Sequence, residues 1–373
     1  MLWIGLMSGT SADAADAALV RLAGSVRELE LLAFHSEPLP DSLRERIHGL
    51  VQGPVRVREL AQLDVELGER FAASALAVVQ AAGLVPEAIS GIGSHGQTVG
   101  HFPEPEIRAS LQLGSPAVLH ERTGIPVVAD FRRADLAAGG QGAPLTPFFH
   151  HAFFASEAEP RALLNLGGFT NLSYLPDPDP AHVVAFDPGP GNALLDRAAR
   201  WASGGRERFD SDGARARAGQ VHGEVLEELL ADPYFAKPPP KSTGHEHFGA
   251  AFFERARDGV LGRNGTPEDV LATLTRFTAA SVRDQAGRFL PGVPARWILY
   301  GGGLRNSSLV SALRAELEPT PIETSDQHGV PARALEAVSF AVLGWAARRG
   351  VPGNLPSATG ARRAVVLGSA TPP

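Results

Sequence analysis

Apolar residues follow two rhythms along this chain, short unbroken runs of strand length and longer stretches with three- and four-residue spacing, and the two alternate. Leu2 to Leu22 reads as an apolar run, a turn of small residues at Ser8-Gly9-Thr10-Ser11, and a returning run, which predicts a β-hairpin. Glu28–His35 adds a third strand to the same meander. Helices are expected over Asp41–Val51 and Val57–Ala82, where Leu60, Leu63, Leu67, Phe71 and Leu76 keep near-helical spacing. A short strand over Ala88–Gly93 ends in Ser94-His95-Gly96-Gln97-Thr98. A helix over Ser115–Thr123 then leads to a strand at Ile125–Ala129 that ends in Asp130-Phe131-Arg132-Arg133. Strands that alternate with helices and end in Gly-rich polar loops predict an α/β architecture with ligands at the carboxyl ends of the strands.

Asp135–Pro147 has weak patterning and reads as a crossing between domains. Beyond it the rhythm restarts. Ala162–Leu166, a turn at Gly167-Gly168-Phe169-Thr170-Asn171 and a return at Leu172–Leu175 repeat the opening hairpin, which suggests two domains of similar core facing each other across a cleft. Val183–Phe186 is a short strand that runs into Asp187-Pro188-Gly189-Pro190-Gly191-Asn192 before a helix over Ala193–Ala202. Gly219–Leu230, Phe248–Leu261 and Pro267–Phe289 read as helices, with Lys241-Ser242-Thr243-Gly244 in a Pro-rich loop between the first two. Trp297–Tyr300 is a buried strand that ends in Gly301-Gly302-Gly303-Leu304-Arg305-Asn306, followed by a helix over Ser307–Leu317. An amphipathic helix over Ala332–Arg348 carries Glu336 and returns to the first domain.

Composition narrows the classes. At 373 residues the chain exceeds the roughly 250 to 300 at which single cores stop growing, so two domains are expected. A net charge of -7 without a dense Lys/Arg tract argues against nucleic-acid binding and for small-molecule ligands. No apolar run reaches the roughly 18 residues of a membrane span and no signal-peptide pattern opens the chain, so a soluble, cytoplasmic protein is expected. Zero cysteines exclude disulfides, thiolate zinc sites and a cysteine nucleophile.

The loops carry the candidate chemistry. The small-residue turn at Ser8–Ser11 offers backbone N–H groups and hydroxyls suited to phosphate oxygens, and Asp13 and Asp16 suit a hydrated Mg²⁺; an ordinary hairpin tip explains the same residues. Asp187, at a strand end beside a helix N-terminus, suits general-base work or an Asx turn. The glycines Gly301 to Gly303 allow a flat ring to approach the backbone, or form a loose turn. His95 is open between substrate contact and a structural role. Lys241-Ser242-Thr243 lacks the Gly-rich run of a P-loop, Gly189-Pro190-Gly191 lacks the third glycine of a dinucleotide fingerprint, and His245-Glu246-His247 reads as solvated loop.

Taken in order, these loops resemble the anhydro-N-acetylmuramic acid kinases of the actin-like, hexokinase-like ATPase superfamily. Met7 to Ser11 with Asp13 and Asp16 is similar to that family's nucleotide-phosphate hairpin. Ser94 to Thr98, Val128 to Arg133 and Gly139 to Leu145 are similar to its sugar-binding loops, and Asn165 to Gly168 with Asn171 to its second phosphate hairpin. Asp187 to Asn192 is similar to the loop of the catalytic aspartate, and Gly301 to Asn306 to the adenosine loop; Lys241 to Gly244 and Glu336-Ala337 also fit. The resemblance implies two actin-like (ribonuclease H-like) domains facing each other across a nucleotide and sugar cleft, with residues 1–127 and a returning 334–373 in the first and 128–333 in the second. It implies ATP and Mg²⁺ as cofactors and a kinase that opens the 1,6-anhydro ring and phosphorylates O6 in peptidoglycan recycling. Asp187 would be the catalytic residue. Gly9, Thr10, Ser11, Ala12, Asp13, Ala14, Ala15, Asp16, Gly167, Gly168, Asn171, Gly301, Gly302, Gly303 and Asn306 would meet the nucleotide, with Asp13 at the metal. His95, Gln97, Arg133, Gly189, Asn192 and Glu336 would meet the sugar, Arg133 as a fork for its lactyl carboxylate.

Three positions depart from the family pattern: Ala14 stands where glycine is usual, Pro188 where threonine is, and His245 where a longer basic residue is common. The alternatives are an N-acetylhexosamine or other sugar kinase of the same superfamily, an actin-like ATPase signalling to a protein partner, and a glycoside hydrolase, for which Asp187 has no obvious carboxylate partner in the sequence. The partners expected are the sugar and ATP, with no nucleic acid or membrane. A homodimer is compatible with a sequence that does not decide oligomeric state.

Overall fold

The computed structural model describes residues 1–9, 11–52, 55–104 and 106–371. The chain forms two compact units, one of Met1–Phe154, Asp179–Val183 and Gly329–Pro373, the other of Ala155–Pro178 and Val184–His328.

In the first unit β1 (Leu2–Ser8), β2 (Ala14–Arg21) and β3 (Glu30–Pro38) form the expected antiparallel meander. They are followed by β4 (Gly91–Phe102), β5 (Ala109–Leu113) and β6 (Val127–Ala129). β4 joins β1 in parallel and β6 joins β4 in parallel, which gives the order β6-β4-β1-β2-β3; β5 and a short C-terminal strand, Ser369–Ala370, add antiparallel pairings to β4 and β6. Alternation along β1 sends Ile4 and Leu6 to one face, where they share a buried cluster with Leu63, Leu67, Phe71, Ala75 and Val78 of the helix Val57–Ala81. Gly5 points the other way. A Cβ there would lie 1.7 Å from the Ala337 carbonyl oxygen, and one at Gly93 of β4 would lie 2.0 Å from that of Phe340. Two glycines on adjacent strands thus let the helix Leu335–Arg348 rest on the sheet backbone, and this contact places Glu336 near the carboxyl end of β1. That helix is not amphipathic as its sequence suggests. Leu335 and Ala337 to Ala346 are all buried, the pattern of a helix enclosed within a core.

In the second unit β7 (Arg161–Leu166), β8 (Phe169–Leu175) and β9 (Val184–Pro190) form an antiparallel meander; β10 (Arg296–Tyr300) pairs in parallel with β7 and β11 (Ile322–Thr324) in parallel with β10. The order β11-β10-β7-β8-β9 is that of the first unit, so the repeated hairpin does mark a repeated fold, the actin-like, ribonuclease H-like α/β pattern. The helix Pro267–Phe289 runs through the core, opened by a Thr266–Asp269 capping box with proline in its first turn. Its Phe277 packs with Phe235, Phe248 and Phe252.

Local differences from the sequence expectation have physical reasons. The first unit extends past residue 127 to Phe154 because β6 pairs with β4. Asp135–Pro147, expected as a crossing, contributes to the helix Arg133–Ala137 and ends where the helix Pro147–Phe154 begins. The expected helix Gly219–Leu230 starts only at Gly223, after a separate short helix Ala214–Ala218, because Gly219 abuts Glu268 and the Gln220 N–H is drawn to Asp269. The Ser94–Thr98 loop lies within β4: Ser94 pairs with Leu6 and Ala129, and Gln97 and Thr98 pair with β5.

Candidate functional site

The two units supply separate groups of candidate residues. In the second, Asp187 lies inside strand β9, three residues before its end at Pro190. Thr170 pairs with Gly189 and Leu172 with Phe186, so three steps along β9 oppose two on β8, a bulge that re-aims the Asp187 side chain. The bulge, and the place of β9 at the sheet edge, explain how Pro188 and Pro190 fit within a strand. Asp187 is 7 % exposed. Its Oδ2 accepts the Thr243 N–H at 3.0 Å, its Oδ1 accepts from the Asn171 amide, and its backbone carbonyl accepts the Tyr234 hydroxyl at 2.6 Å. Burial pushes the carboxyl up to about 7, helped by repulsion from Glu246; the two hydrogen bonds and the charge of Lys241 oppose that rise. A carboxylate that gains and loses its proton near neutrality is suited to general-base chemistry.

The surrounding glycines form a tight backbone frame. The Gly167 and Gly168 carbonyls accept the N–H groups of Gly191, Asn192 and Ala193, and a Cβ on Gly191 would lie 2.4 Å from the Gly167 oxygen. The Asn192 amide, expected on the sugar, donates to the Leu166 and Gly167 carbonyls at 3.0 and 2.9 Å and so ties this turn together. Gly189 has its carbonyl on the Thr170 hydroxyl at 2.9 Å. After β10, Gly301 takes φ +93 against Asn165, Gly303 abuts Leu166, and Gly302 faces open space. Asn306 caps the helix Ser307–Leu317 by accepting the Leu309 N–H at 3.0 Å.

In the first unit Thr10 lies outside the described residues. Gly9 begins a turn closed by Ala12 N–H to Gly9 C=O at 3.0 Å, and Ala12, not Ala14, takes the positive φ, +52. Alanine at 14 therefore sits in ordinary strand backbone. Ala15 is packed in the core and Ser11 is exposed. Gln97 is fully buried and staples the turn: its Nε2 donates to Gly9 C=O at 3.1 Å and its Oε1 accepts from Ser8 Oγ at 2.7 Å. His95 falls at an irregularity in β4, where Leu6 pairs with Ser94 and Ser8 with Gln97. Its Nδ1 meets the Gly96 carbonyl at 2.9 Å and its Nε2 accepts from the Arg132 guanidinium at 2.9 Å; burial, then the Arg132 charge, holds its pKa well below the ordinary value. Both ring nitrogens are engaged within the fold.

Arg132, which the sequence did not single out, stands beside Arg133, expected on the sugar. Burial lowers it to about 10, and its Nη1 donates to the Gly142 carbonyl at 2.7 Å, whereas Arg133 is 63 % exposed and pairs with Asp130 at 3.3 Å. Asp135, fully buried, accepts from Gly142 N–H, Asn354 and Thr359, and so fixes the Gly139–Gly142 loop. Glu336 is raised to about 7 by burial and then by the Asp16 charge, against the pull of Arg132; Asp16 is itself raised by burial and accepts from Ser36 Oγ at 2.5 Å. The sequence assigned these two carboxylates to different ligands, yet the Asp16 charge acts on Glu336.

Asp13 is 63 % exposed and pairs with Arg44 at 2.7 Å. Among the described residues no group of three or more His, Asp or Glu side chains is arranged to hold a metal. Mg²⁺ typically takes one or two carboxylates, with waters and phosphate oxygens filling its other positions, and the exposed Asp13 carboxylate fits that donor set. Among the described residues no helix is long and apolar enough to cross a membrane.

Comparison with known proteins adds an independent line. A family model described as anhydro-N-acetylmuramic acid kinase matches residues 1–373. The anhydro-N-acetylmuramic acid kinase of Xanthomonas campestris pv. campestris (strain 8004) is 45% identical, covering 100% of this chain and 97% of its own. That of Cyanothece sp. (strain PCC 7425) is 42% identical, covering 98% of each. Among solved structures, the activator of the 2-hydroxyisocaproyl-CoA dehydratase from Clostridium difficile with bound ADPNP aligns at 15% identity over 92% of this chain and 94% of its own, with a TM-score of 0.46.

Proposed function

This chain belongs to the anhydro-N-acetylmuramic acid kinase family, and from that membership we propose that it acts on anhydro-N-acetylmuramic acid, opening the 1,6-anhydro ring with water and transferring the ATP γ-phosphoryl group to O6. The products are N-acetylmuramic acid 6-phosphate and ADP, a step in the recycling of peptidoglycan in the cytoplasm.

Asp187 is the general base in this reading. It removes one proton from a water whose oxygen bonds to C1; the C1–O6 bond breaks, and O6, carrying its electron pair, attacks the γ-phosphorus as the bond to ADP breaks. The second proton of the water stays on the new anomeric hydroxyl. The observation that carries the assignment is the buried Asp187 carboxylate, held by Thr243 and Asn171 and poised at about 7. The Gly9–Ala12 turn and the Gly167–Gly168 turn serve the phosphates, and Gly302 serves the adenosine. Phosphoryl transfer depends on positioning and charge neutralisation, for which small-residue turns are suited. Asp13 would hold Mg²⁺, which would neutralise phosphate charge. Glu336 and Arg133 orient the sugar, while His95 and Gln97 shape that surface through Arg132 and Gly9.

A coupled ADP-release assay compares the anhydro sugar, N-acetylglucosamine and no sugar. ADP release dependent on the anhydro sugar is expected; equal or greater turnover on N-acetylglucosamine, or turnover indifferent to sugar, refutes the substrate.

A further inference from the structure

Lys241 is 7 % exposed and lies among aromatic rings. Its ammonium is 4.7 Å from the ring centres of Tyr234 and Phe289 and 5.8 Å from that of Phe186, and it donates to Gln285 Oε1 and, at 3.4 Å, to the Tyr234 carbonyl. Gln285 is fully buried and is fixed in turn by donating to Phe235 C=O at 3.1 Å and Asp284 Oδ2 at 2.7 Å. The lysine backbone completes the arrangement: its carbonyl accepts the Asp187 N–H at 3.1 Å, and two residues on, Thr243 gives its N–H to the Asp187 carboxylate at 3.0 Å.

A methionine would fill the same aromatic cage without the desolvation penalty of an ammonium, and such replacements of buried charge are often neutral or stabilising. Packing alone therefore does not account for a charge here. We propose that Lys241 is a positioning residue for Asp187: its caged ammonium anchors the Lys241–Gly244 loop that holds the Asp187 carboxylate, and its positive charge favours the ionised carboxylate that accepts the water proton. This rests on the assignment of Asp187 as the base.

The charges facing the pair come from three segments. Glu246, on the same loop, opposes ionisation of Asp187. Asp284 and Arg288 face Lys241 from the helix Pro267–Phe289, and Lys237 from the stretch before the loop. Burial lowers Lys241 to about 8, so it still carries its charge where Asp187 titrates.

The test is the pH dependence of kcat, with KM for ATP and the sugar, for the full chain and for Lys241→Met, Lys241→Gln and Asp187→Asn. Methionine keeps the packing without charge, and glutamine keeps a hydrogen-bonding partner for Gln285 should methionine fail to fold. Both are expected to melt near the wild-type temperature, to move the acid limb of kcat to higher pH by several tenths of a unit, and to lose about twofold to threefold in kcat at about pH 6.5, with KM for ATP held within about twofold. An acid limb that stays in place in a variant melting like wild type overturns the proposal. So does failure of both variants to fold, which makes Lys241 a core residue. If Asp187→Asn keeps sugar-dependent ADP release, it is the assignment of the base that fails.

Discussion

Replacing Asp187 by Asn separates the demands of chemistry from those of stability. The carboxyl stands near 3.8 in a solvated chain and is raised to about 7 in the folded protein by burial. With the folded pKa above the unfolded one, the unfolded chain binds fewer protons between those values, so wild-type stability falls as pH rises through the window and levels off above it. Well below 3.8 the carboxyl is protonated in both states and the penalty vanishes. Each pH unit well inside the window is worth about 1.4 kcal/mol and less near its edges, so from about pH 5 to about pH 7 this group alone removes about 2 kcal/mol. Asparagine at 187 cannot ionise. The difference in unfolding free energy between the variant and the wild type should therefore grow in the variant's favour by about 2 kcal/mol over that interval, even if the amide, facing the donors Thr243 N–H and Asn171 Nδ2, costs about 1 to 3 kcal/mol at every pH. Urea unfolding of both proteins without ligands, at a series of pH values, measures the difference; sugar-dependent ADP release measures activity, which should be lost. A stability difference that stays flat from pH 5 to pH 7 would refute the buried, raised carboxyl. A gap that grows in the wild type's favour would refute it equally.

Further outcomes follow from individual contacts. Gly93→Ala drives a Cβ into the Phe340 carbonyl, 2.0 Å away, and should cost several kcal/mol, on the order of 3 or more, by prying the helix Leu335–Arg348 from the sheet; a melting temperature within about 2 °C of wild type would contradict that packing. Tyr234→Phe deletes the 2.6 Å hydrogen bond to the Asp187 carbonyl and should cost about 1 to 3 kcal/mol, read by urea unfolding, with kcat reduced more than KM; unchanged stability and kcat would show the hydroxyl to be idle. Glu336→Gln removes the carboxyl proposed to orient the sugar, so it should raise KM for the anhydro sugar by about tenfold while leaving KM for ATP unchanged; the reverse pattern would assign Glu336 to the nucleotide.

The repeat of the fold was legible because each hairpin is local: an apolar run, a small-residue turn and a return within a few residues, at Leu2–Leu22 and again at Ala162–Leu175. Strand ends were less so. β4 and β9 both run on through their candidate residues, since extension there depends on partners that periodicity does not reveal: β5 for Gln97–Phe102 and the β8 bulge pairing for Asp187–Pro190. That Arg132 is buried and Arg133 exposed was equally out of reach, because adjacent residues of one type are distinguished only by which side chain meets His95 and which meets solvent. Asn192 and Asn306 illustrate a second limit. Both stand in loops expected to meet a ligand, and both direct their side chains to backbone groups of the protein itself, where the loop's shape depends on them.

Gln97 and Thr243 show how function and framework share residues in this fold. Gln97 touches the opening turn through Gly9 and Ser8, and Thr243 touches the proposed base through its backbone N–H, so the sequence motif around each records the geometry of a neighbouring group. A side-chain change at Thr243 leaves that N–H in place, whereas replacing Lys241 removes the ammonium whose hydrogen bond to Gln285 anchors the loop that carries it. The larger kinetic effect is therefore expected at the residue farther from the carboxylate, because the contact that holds Asp187 belongs to the backbone and the backbone is held by the buried ammonium.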